Sequence, residues 1–294
     1  MGIFMKFIET LINGLSMGST YAMIALGYTM VYGIAKMLNF AHGDIIMVGG
    51  YMLYVTMTAL GNPFLGLLVA IIFCVTLGIV IERVAYKPLR GASPLAVLIT
   101  AIGVSYLLQS SAQIIFGSAP KMVNIANLGN LHFIGITVPV YTIVTLVCST
   151  IIMITLSLFV KYTRTGRAMI AVSEDKGAAQ LMGINVNRII MITFAIGSGL
   201  AAFAGLFMLM KSPSLTNTLG AMPGIKAFTA AVIGGIGSIP GAMLGGILMG
   251  IVEAISLTIP AVAPYTDAIE FIILIIILLV RPTGILGKKR REKV

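Results

Sequence analysis

KYTRTGRAMIAVSEDKGAAQLMGINVNR, residues 161–188, is the longest polar interruption in a chain that is 59% hydrophobic. It carries five Lys or Arg residues and two acidic residues within 28 positions. The apolar runs on either side of it, at about 140–160 and 189–210, each reach the roughly 20 residues that a bilayer-crossing helix needs. Long apolar runs separated by short polar breaks predict an all-α polytopic membrane protein.

The composition excludes a soluble fold. Only 10% of the residues are charged, whereas soluble domains have about 25%, so the chain cannot cover a surface that faces water. The net charge of +10 lies mainly in the breaks between apolar runs, which indicates membrane topology and not nucleic-acid binding. We predict a single transmembrane domain over residues 1–294.

No motif indicates chemistry carried out by the chain itself. The glycine-rich GGIGSIPGAM at 234–243 is not followed by the Gly-Lys-Ser/Thr of a P-loop, so ATP binding of that kind is excluded. Cys74 and Cys148 lie inside apolar runs without the spacing of metal ligands. We expect no catalytic residue, no metal and no bound cofactor.

The apolar runs predict eight or nine transmembrane helices, with Gly-rich broken or re-entrant segments among them. The stretch 221–257 is too long for one crossing and is interrupted at 234–241, so we interpret it as two helices. Whether these two helices cross the bilayer or form a re-entrant hairpin stays open. The runs lie at about 8–34, 45–60, 64–81, 95–116, 140–160, 189–210, 221–257 and 268–280.

The distribution of Lys and Arg predicts the orientation. Four breaks, at 35–44, 82–94, 161–188 and 281–294, carry 15 of the 19 positive residues. By the positive-inside rule these breaks, including the basic tail 281–294, are cytoplasmic. The side of the amino terminus depends on the number of crossings and stays open.

Small residues recur at every fourth position of the first run, at Gly14, Gly18 and Ala22. Lipid supplies no hydrophobic force between helices, so packing must hold them together, and such a stripe favours the close approach of a second helix.

Charged residues inside the apolar runs are few. Glu253 would cost about 2.5–3.5 kcal/mol if it faced lipid at mid-depth, so we expect it to face other helices, a wet cavity or an interface. Lys226 lies near the start of its run and is predicted to snorkel to the outer surface. A pathway so poor in charge favours a neutral or zwitterionic solute over ions. The candidate pathway or broken-helix residues are Asn39, His42, Gly43, Asp44, Gly234, Gly235, Gly237, Gly241 and Glu253.

Four blocks, in order along nearly the whole chain, resemble the permease subunits of branched-chain amino-acid ABC importers, the LivH type. The blocks are LNFAHGD at 38–44, GRAMIAVSEDKGAAQLMGIN at 166–185, KAFTAAVIGGIGSIPGA at 226–242 and RPTGILG at 281–287. The resemblance implies the ABC importer permease fold and a place in the bacterial cytoplasmic membrane. It also implies a second related permease, two cytoplasmic ATP-binding subunits that use ATP and Mg²⁺, and an extracytoplasmic binding protein for leucine, isoleucine or valine.

The resemblance further implies that loop 161–188 contains the helix that docks on an ATPase subunit. In this loop Ala178, Ala179 and Gly183 match the family's Glu-Ala-Ala-x-x-x-Gly pattern, and Gly177 stands where the family has its glutamate. Glu174 and Asp175, one turn earlier, are the candidates for that charge. The predicted coupling residues are Glu174, Asp175, Gly177, Ala178, Ala179, Leu181, Met182 and Gly183.

Three alternatives stay open at this point. The four blocks do not discriminate branched-chain amino acids from urea or short amides, because they concern coupling and helix packing. An ion-coupled secondary transporter would use Glu253 as its coupling carboxylate. A scaffold without transport of its own is the third alternative.

Overall fold

A computed structural model describes residues 2–125, 129–133 and 136–287 of the chain. Within these residues it contains eleven α-helices and four short strands. The predicted tail residues 288–294 lie outside the described residues. The helices are α1 Gly2–Ala35, α2 His42–Leu60, α3 Pro63–Ile81, α4 Pro94–Phe116, α5 Val140–Tyr162, α6 Arg164–Glu174, α7 Lys176–Leu181, α8 Val186–Lys211, α9 Ala221–Gly234, α10 Ile239–Thr258 and α11 Thr266–Val280.

Seven helical segments in the described part are long and apolar enough to cross a membrane. α1 is more polar, but its 34 residues rise about 50 Å, which exceeds the roughly 30 Å hydrocarbon core. α9, with 14 residues, rises about 21 Å and falls short of that thickness. The predicted polytopic helical fold is therefore confirmed, with a count near the predicted eight or nine.

Local signals explain where several helices begin. Asn62 accepts hydrogen bonds from the amides of Phe64 and Leu65 and starts α3. Ser93 and Ser238 cap α4 and α10 in the same way, and in all three helices a proline stands at the first or second position. Such polar caps accept hydrogen bonds from amides that have no partner in the first turn. Proline has no backbone N–H, so it leaves no unpaired donor at these positions.

The positive stretch after α3 is helical rather than a loop, contrary to expectation. A π-helical turn, Glu82–Tyr86, and a 3₁₀ turn, Lys87–Leu89, extend α3 before the chain turns back at Gly91. The extension buries the ring of Tyr86 and the carboxylate of Glu82 inside the bundle. These contacts outweigh the polar composition that predicted a loop.

α1 and α10 pack backbone to backbone through the predicted stripe of small residues. A Cβ on Gly18 would lie 2.7 Å from the Cα of Ile247, and one on Gly14 would lie 3.0 Å from the Cα of Ile251. α10 contributes Gly246 and Gly250, whose Cβ positions would overlap the backbones of Ala22 and Gly18. The prediction that a second helix approaches this stripe closely is confirmed.

Two helices begin inside the bundle. Lys36 has a left-handed φ of 60° and ends α1, and the chain then folds back so that His42, the first residue of α2, lies against Gly27. Gly27 lies about two turns before the end of α1, so α2 begins within the bundle and not at its surface. α9 begins at the same level, because Gly220, its N-cap, lies against the backbone of Gly43.

One end of the bundle collects most of the positive breaks and is called the basic end below. The carbonyl of Ala35, at the end of α1, accepts from Lys176 Nζ at 2.8 Å, and the side chain of Arg90 donates to Asn187 at the start of α8. The break between α9 and α10 lies here too, since Gly237 is next to Gly33.

The other end, called the opposite end, holds the strands. β1 Lys121–Met122 pairs with β4 Ser214–Leu215, and β2 Asn130–Phe133 pairs with β3 Ile136–Pro139, both antiparallel. These two small sheets are the only departure from the predicted all-α fold within the described residues. The second sheet is attached to α1, because the Thr137 amide donates to Glu9 Oε1 at 2.8 Å.

Gly18→Ala should destabilise the protein by about 1–3 kcal/mol, since the added methyl group overpacks the α1–α10 contact. The measurement is the thermal unfolding midpoint of the purified chain in detergent. Gly103→Ala is the matched control: it is also a helical glycine, but nothing lies within 4 Å of its Cβ position. Equal midpoints for the two variants would contradict the close α1–α10 contact.

Candidate functional site

Stretch 161–188 folds as two helices at the basic end, although only the second was predicted. Asp175 ends α6 and caps α7, accepting from the amides of Gly177 at 2.8 Å and Ala178 at 3.0 Å. The capping acid thus lies two residues before Gly177. An acceptor at this position satisfies amides of the first turn and favours the helix dipole.

Gly183 follows the end of α7 in a left-handed conformation. Its φ is +81°, its amide donates to the Gln180 carbonyl at 3.0 Å, and the Ile184 amide donates to the Ala179 carbonyl at 3.0 Å. This pair of bonds is a Schellman motif, in which a left-handed residue closes the helix. Nothing lies within 4 Å of the Cβ position of Gly183, so only backbone conformation requires glycine there.

The predicted coupling residues divide into exposed and buried ones. Leu181 and Met182 are 90% and 82% exposed, which is unusual for large apolar side chains on a polar segment. Ala179 is buried against the chain itself and cannot touch a partner in this arrangement. The other exposed members are Glu174, Asp175, Gly177, Ala178 and Gly183.

α7 is attached to the membrane helices by its first residue. Lys176 donates to the last carbonyl of α1, and a helix end has such unpaired carbonyls. Burial lowers the pKa of Lys176, and the neighbouring charge of Arg90 lowers it further. Arg90 also bonds Glu82, so the α3 extension, α7 and the ends of α1 and α8 form one connected unit.

The predicted pathway residues Asn39, His42, Gly43 and Asp44 lie together where α2 begins, and all four are buried. Asn39 Oδ1 accepts from the Tyr86 hydroxyl at 2.8 Å, and Asp44 Oδ1 accepts from Gln109 Nε2 at 2.8 Å. These bonds satisfy polar groups at a helix start within the bundle. The group forms the connection into α2 and lines neither of the cavities described below, and its part in a pathway stays a prediction.

The predicted glycines 234, 235, 237 and 241 form the break between α9 and α10 at the basic end. Gly235 and Gly237 have φ of +110° and +93°, and Gly234 packs against the backbone of Gly241. The segment after α11 closes over this break, with the Leu286 amide donating to the Gly234 carbonyl at 2.9 Å. The predicted break between two helices is confirmed.

Glu253 faces other helices and belongs to a buried ion cluster. Lys226 Nζ of α9 lies 3.1 Å from Glu253 Oε1, 2.7 Å from Asp267 Oδ1 and 3.3 Å from Glu270 Oε2. The prediction that Lys226 snorkels to the surface is wrong, since its side chain is only 9% exposed. The attraction of three carboxylates on α10 and α11 holds it inside.

The sequence did not predict that these ionisable residues lie together in one cluster. Glu253 and Lys226 lie 27 positions apart in the sequence, and no sequence pattern pairs them. The available signal was that ionisable residues in neighbouring apolar runs must pair to be tolerated. Which runs are neighbours is decided by tertiary packing. Within the described residues no group of three His, Cys, Asp or Glu is placed to hold a metal ion.

Two adjacent cavities open at the opposite end, beside the ion cluster. They measure about 310 and about 230 Å³ and share Ser16, Met17, Tyr141 and Lys211. The larger one reaches Ala254, next to Glu253, and the smaller one reaches Pro223 in the first turn of α9. Together they are called the opposite-end cavity, which none of the predicted pathway residues lines.

Comparison with known proteins identifies a family. Residues 10–278 match the family model described as "Branched-chain amino acid transport system / permease component". The chain is 44% identical to the high-affinity branched-chain amino acid transport system permease protein BraD of Pseudomonas aeruginosa, over 98% of both chains. It is 42% identical to the corresponding protein LivH of Escherichia coli K12, over 99% of both, and 29% identical to the probable LivH of Methanocaldococcus jannaschii, over 90% and 88%.

Lys226→Met should strongly destabilise the chain, by about 3–5 kcal/mol, because it leaves three carboxylates facing one another without a cation. The thermal unfolding midpoint in detergent measures the effect. Lys121→Met is the control. Lys121 lies at the same end of the bundle but outside the ion cluster, so this substitution should change the unfolding midpoint little. Adding Glu270→Gln to Lys226→Met should recover part of the loss. If the unfolding midpoint of Lys226→Met equals that of the control, the ion cluster does not stabilise the fold.

Proposed function

The chain belongs to the family of branched-chain amino acid transport permease components, and on that premise we propose that it is the membrane-spanning subunit of an ATP-driven importer of leucine, isoleucine and valine. The observation that carries the proposal is its identity of 42–44% to BraD and LivH, each over 98% or more of both chains. The family and the apolar helices make it a multi-pass membrane protein that serves transport.

The proposed complex contains a second related permease, two ATP-binding subunits that use ATP and Mg²⁺, and an extracytoplasmic binding protein. The basic end is cytoplasmic, because its breaks carry 10 of the 14 Lys and Arg among the described residues. The carboxyl terminus then lies in the cytoplasm and the opposite-end cavity faces outside. Counting α1 as a crossing from the opposite end to the basic end puts the amino terminus outside.

The α6–α7 segment is the proposed contact with an ATP-binding subunit. Leu181 and Met182 supply exposed apolar area beside the small Ala178, and such a patch on a polar segment is typical of a protein interface. Asp175, as the cap of α7, supplies the acid that the family pattern has at the position of Gly177. Ala179 contributes by packing α7 on its own chain.

Movement of α7 has a direct route into the bundle. Lys176 holds the end of α1, and only a short connection separates α7 from α8. α1, α8 and α10 also line the opposite-end cavity, through Ser16, Lys211 and Ala254. Displacement of the basic ends of α1 and α8 therefore shifts the cavity walls, which is the two-state element that alternating access requires.

The two transport alternatives receive no support. The relatives at 42–44% identity are named for branched-chain amino acids, and not for urea or amides. Glu253, the coupling carboxylate of the ion-coupled alternative, has an oxygen 3.1 Å from Lys226, so it is placed as a structural partner of that lysine.

Leucine uptake by vesicles that contain the assembled complex tests the proposal, with Gly183→Val as the coupling variant. Wild-type uptake should require ATP inside the vesicle and the ATP-binding subunits. Valine at a φ of +81° costs about 1–2 kcal/mol and opens the end of α7. Uptake per ATP hydrolysed should fall roughly five- to thirty-fold.

Gly61→Val is the matched control, because Gly61 ends α2 with a left-handed φ of +64° and has open space around its Cβ position, in a connection far from α7. Its uptake should stay near the wild-type rate. Leucine accumulation without the ATP-binding subunits would contradict the importer. Normal uptake and normal assembly of Gly183→Val would contradict only the coupling role of α7.

A further inference from the structure

Lys211 is exposed at the opposite-end cavity and forms no ion pair with a carboxylate of the described residues. It is the last residue of α8 and lines both parts of the cavity. No carboxylate of the described residues comes within the 4.0 Å of an ion pair to its ammonium group. The neighbouring carboxylates of the ion cluster face Lys226 instead, so this lysine is available to an anion that enters from outside.

The cavity wall also contains two buried hydroxyl groups that have no hydrogen-bond partner among the described residues. Thr142 and Thr145 on α5 are 1% and 2% exposed, line the larger and the smaller part respectively, and have hydroxyl oxygens without a hydrogen-bond partner. Leaving a buried hydroxyl unpaired costs free energy, about 1–3 kcal/mol. Hydroxyl oxygens can accept from an ammonium group as well as donate to a carboxylate.

The smaller part is mainly apolar, through Met17, Phe207, Met208 and Leu219, although Ser16, Thr20 and Ser212 also line it. A volume of about 310 Å³ in the larger part is near the lower end of the range for small-molecule sites, roughly 300–1,000 Å³. A cation, unpaired hydroxyls and an apolar wall in one small cavity match a zwitterion with an aliphatic side chain. Urea and short amides carry no carboxylate for the cation.

We propose that the opposite-end cavity is an entry site of the permease for the free amino acid, in which Lys211 binds the α-carboxylate. Thr142 and Thr145 of α5 belong to the wall beside the amino acid, and the aliphatic side chain lies against Met17 and Phe207. The first turn of α9 closes the inner side of the cavity at Pro223, where the positive end of the helix dipole adds attraction for the carboxylate. This inference rests on the proposed function and deepens it.

The test removes the positive charge at residue 211 and then restores it, without changing the rest of the cavity. Lys211→Cys is made in a Cys148→Ser background, in which the remaining cysteine, Cys74, is buried. Leucine uptake by reconstituted vesicles is measured at saturating leucine-loaded binding protein, together with ATP hydrolysis. Loss of a charge-assisted hydrogen bond should slow uptake per ATP at least about tenfold.

Chemical rescue separates the charge from a structural role. Aminoethyl methanethiosulfonate converts the cysteine into a lysine-like cation and should restore uptake, whereas the neutral methyl methanethiosulfonate should not. Lys121→Cys, at the same end but outside the cavity, should respond to neither reagent. Wild-type rates in untreated Lys211→Cys, rescue by both reagents, or rescue by neither would each overturn the carboxylate role.

The same experiment distinguishes this failure from failure of the proposed function. If the wild-type complex accumulates no leucine, the importer itself is refuted and the entry site with it. If the wild type accumulates leucine and Lys211→Cys matches it, the importer stands and only the entry site is overturned.

Discussion

The backbone contact between α1 and α10 is the interaction on which the rest of the structure depends. In lipid no hydrophobic force holds two helices together, so close packing must do so, and Gly14 and Gly18 on α1 face Gly246 and Gly250 on α10 for this purpose. The contact fixes α1 at the centre of the bundle. α1 then joins the two functional ends, with Ser16 and Met17 in the cavity and Ala35 bound by Lys176.

The cost of placing charge in an apolar bundle explains how the two lysines of the opposite end differ. Lys226 is tolerated because Glu253, Asp267 and Glu270 surround it, and together these side chains hold α9, α10 and α11 at one point. Lys211 has no such partners in the part of the chain that the structure describes, and it stands where the chain leaves α8 and water can reach the cavity. One lysine therefore stabilises the fold, and the other is free to meet a substrate.

Periodicity and residue size predicted much of the fold. The break at 234–241 was predicted correctly because it depends on neighbours close along the chain. The stripe at Gly14, Gly18 and Ala22 was predicted correctly because the spacing of small residues on one helix face is visible in the sequence, whichever helix packs there. The failures depend on neighbours distant along the chain. Lys226 was predicted at the surface because its partners on α10 and α11 are known only once the helices pack. The sequence gives no indication of a role for Lys211, because that role depends on the cavity that the folded helices form.

Sided labelling of introduced cysteines tests the central claim, that the cavity opens outward and the α6–α7 segment faces the cytoplasm. Asn13→Cys lies in the larger part of the cavity and Leu181→Cys is at the last position of α7, both in a Cys148→Ser background. A membrane-impermeant maleimide should label Asn13→Cys in intact cells and Leu181→Cys only in inside-out vesicles. Labelling of Leu181→Cys in intact cells, with Asn13→Cys reached only in inside-out vesicles, would contradict this arrangement.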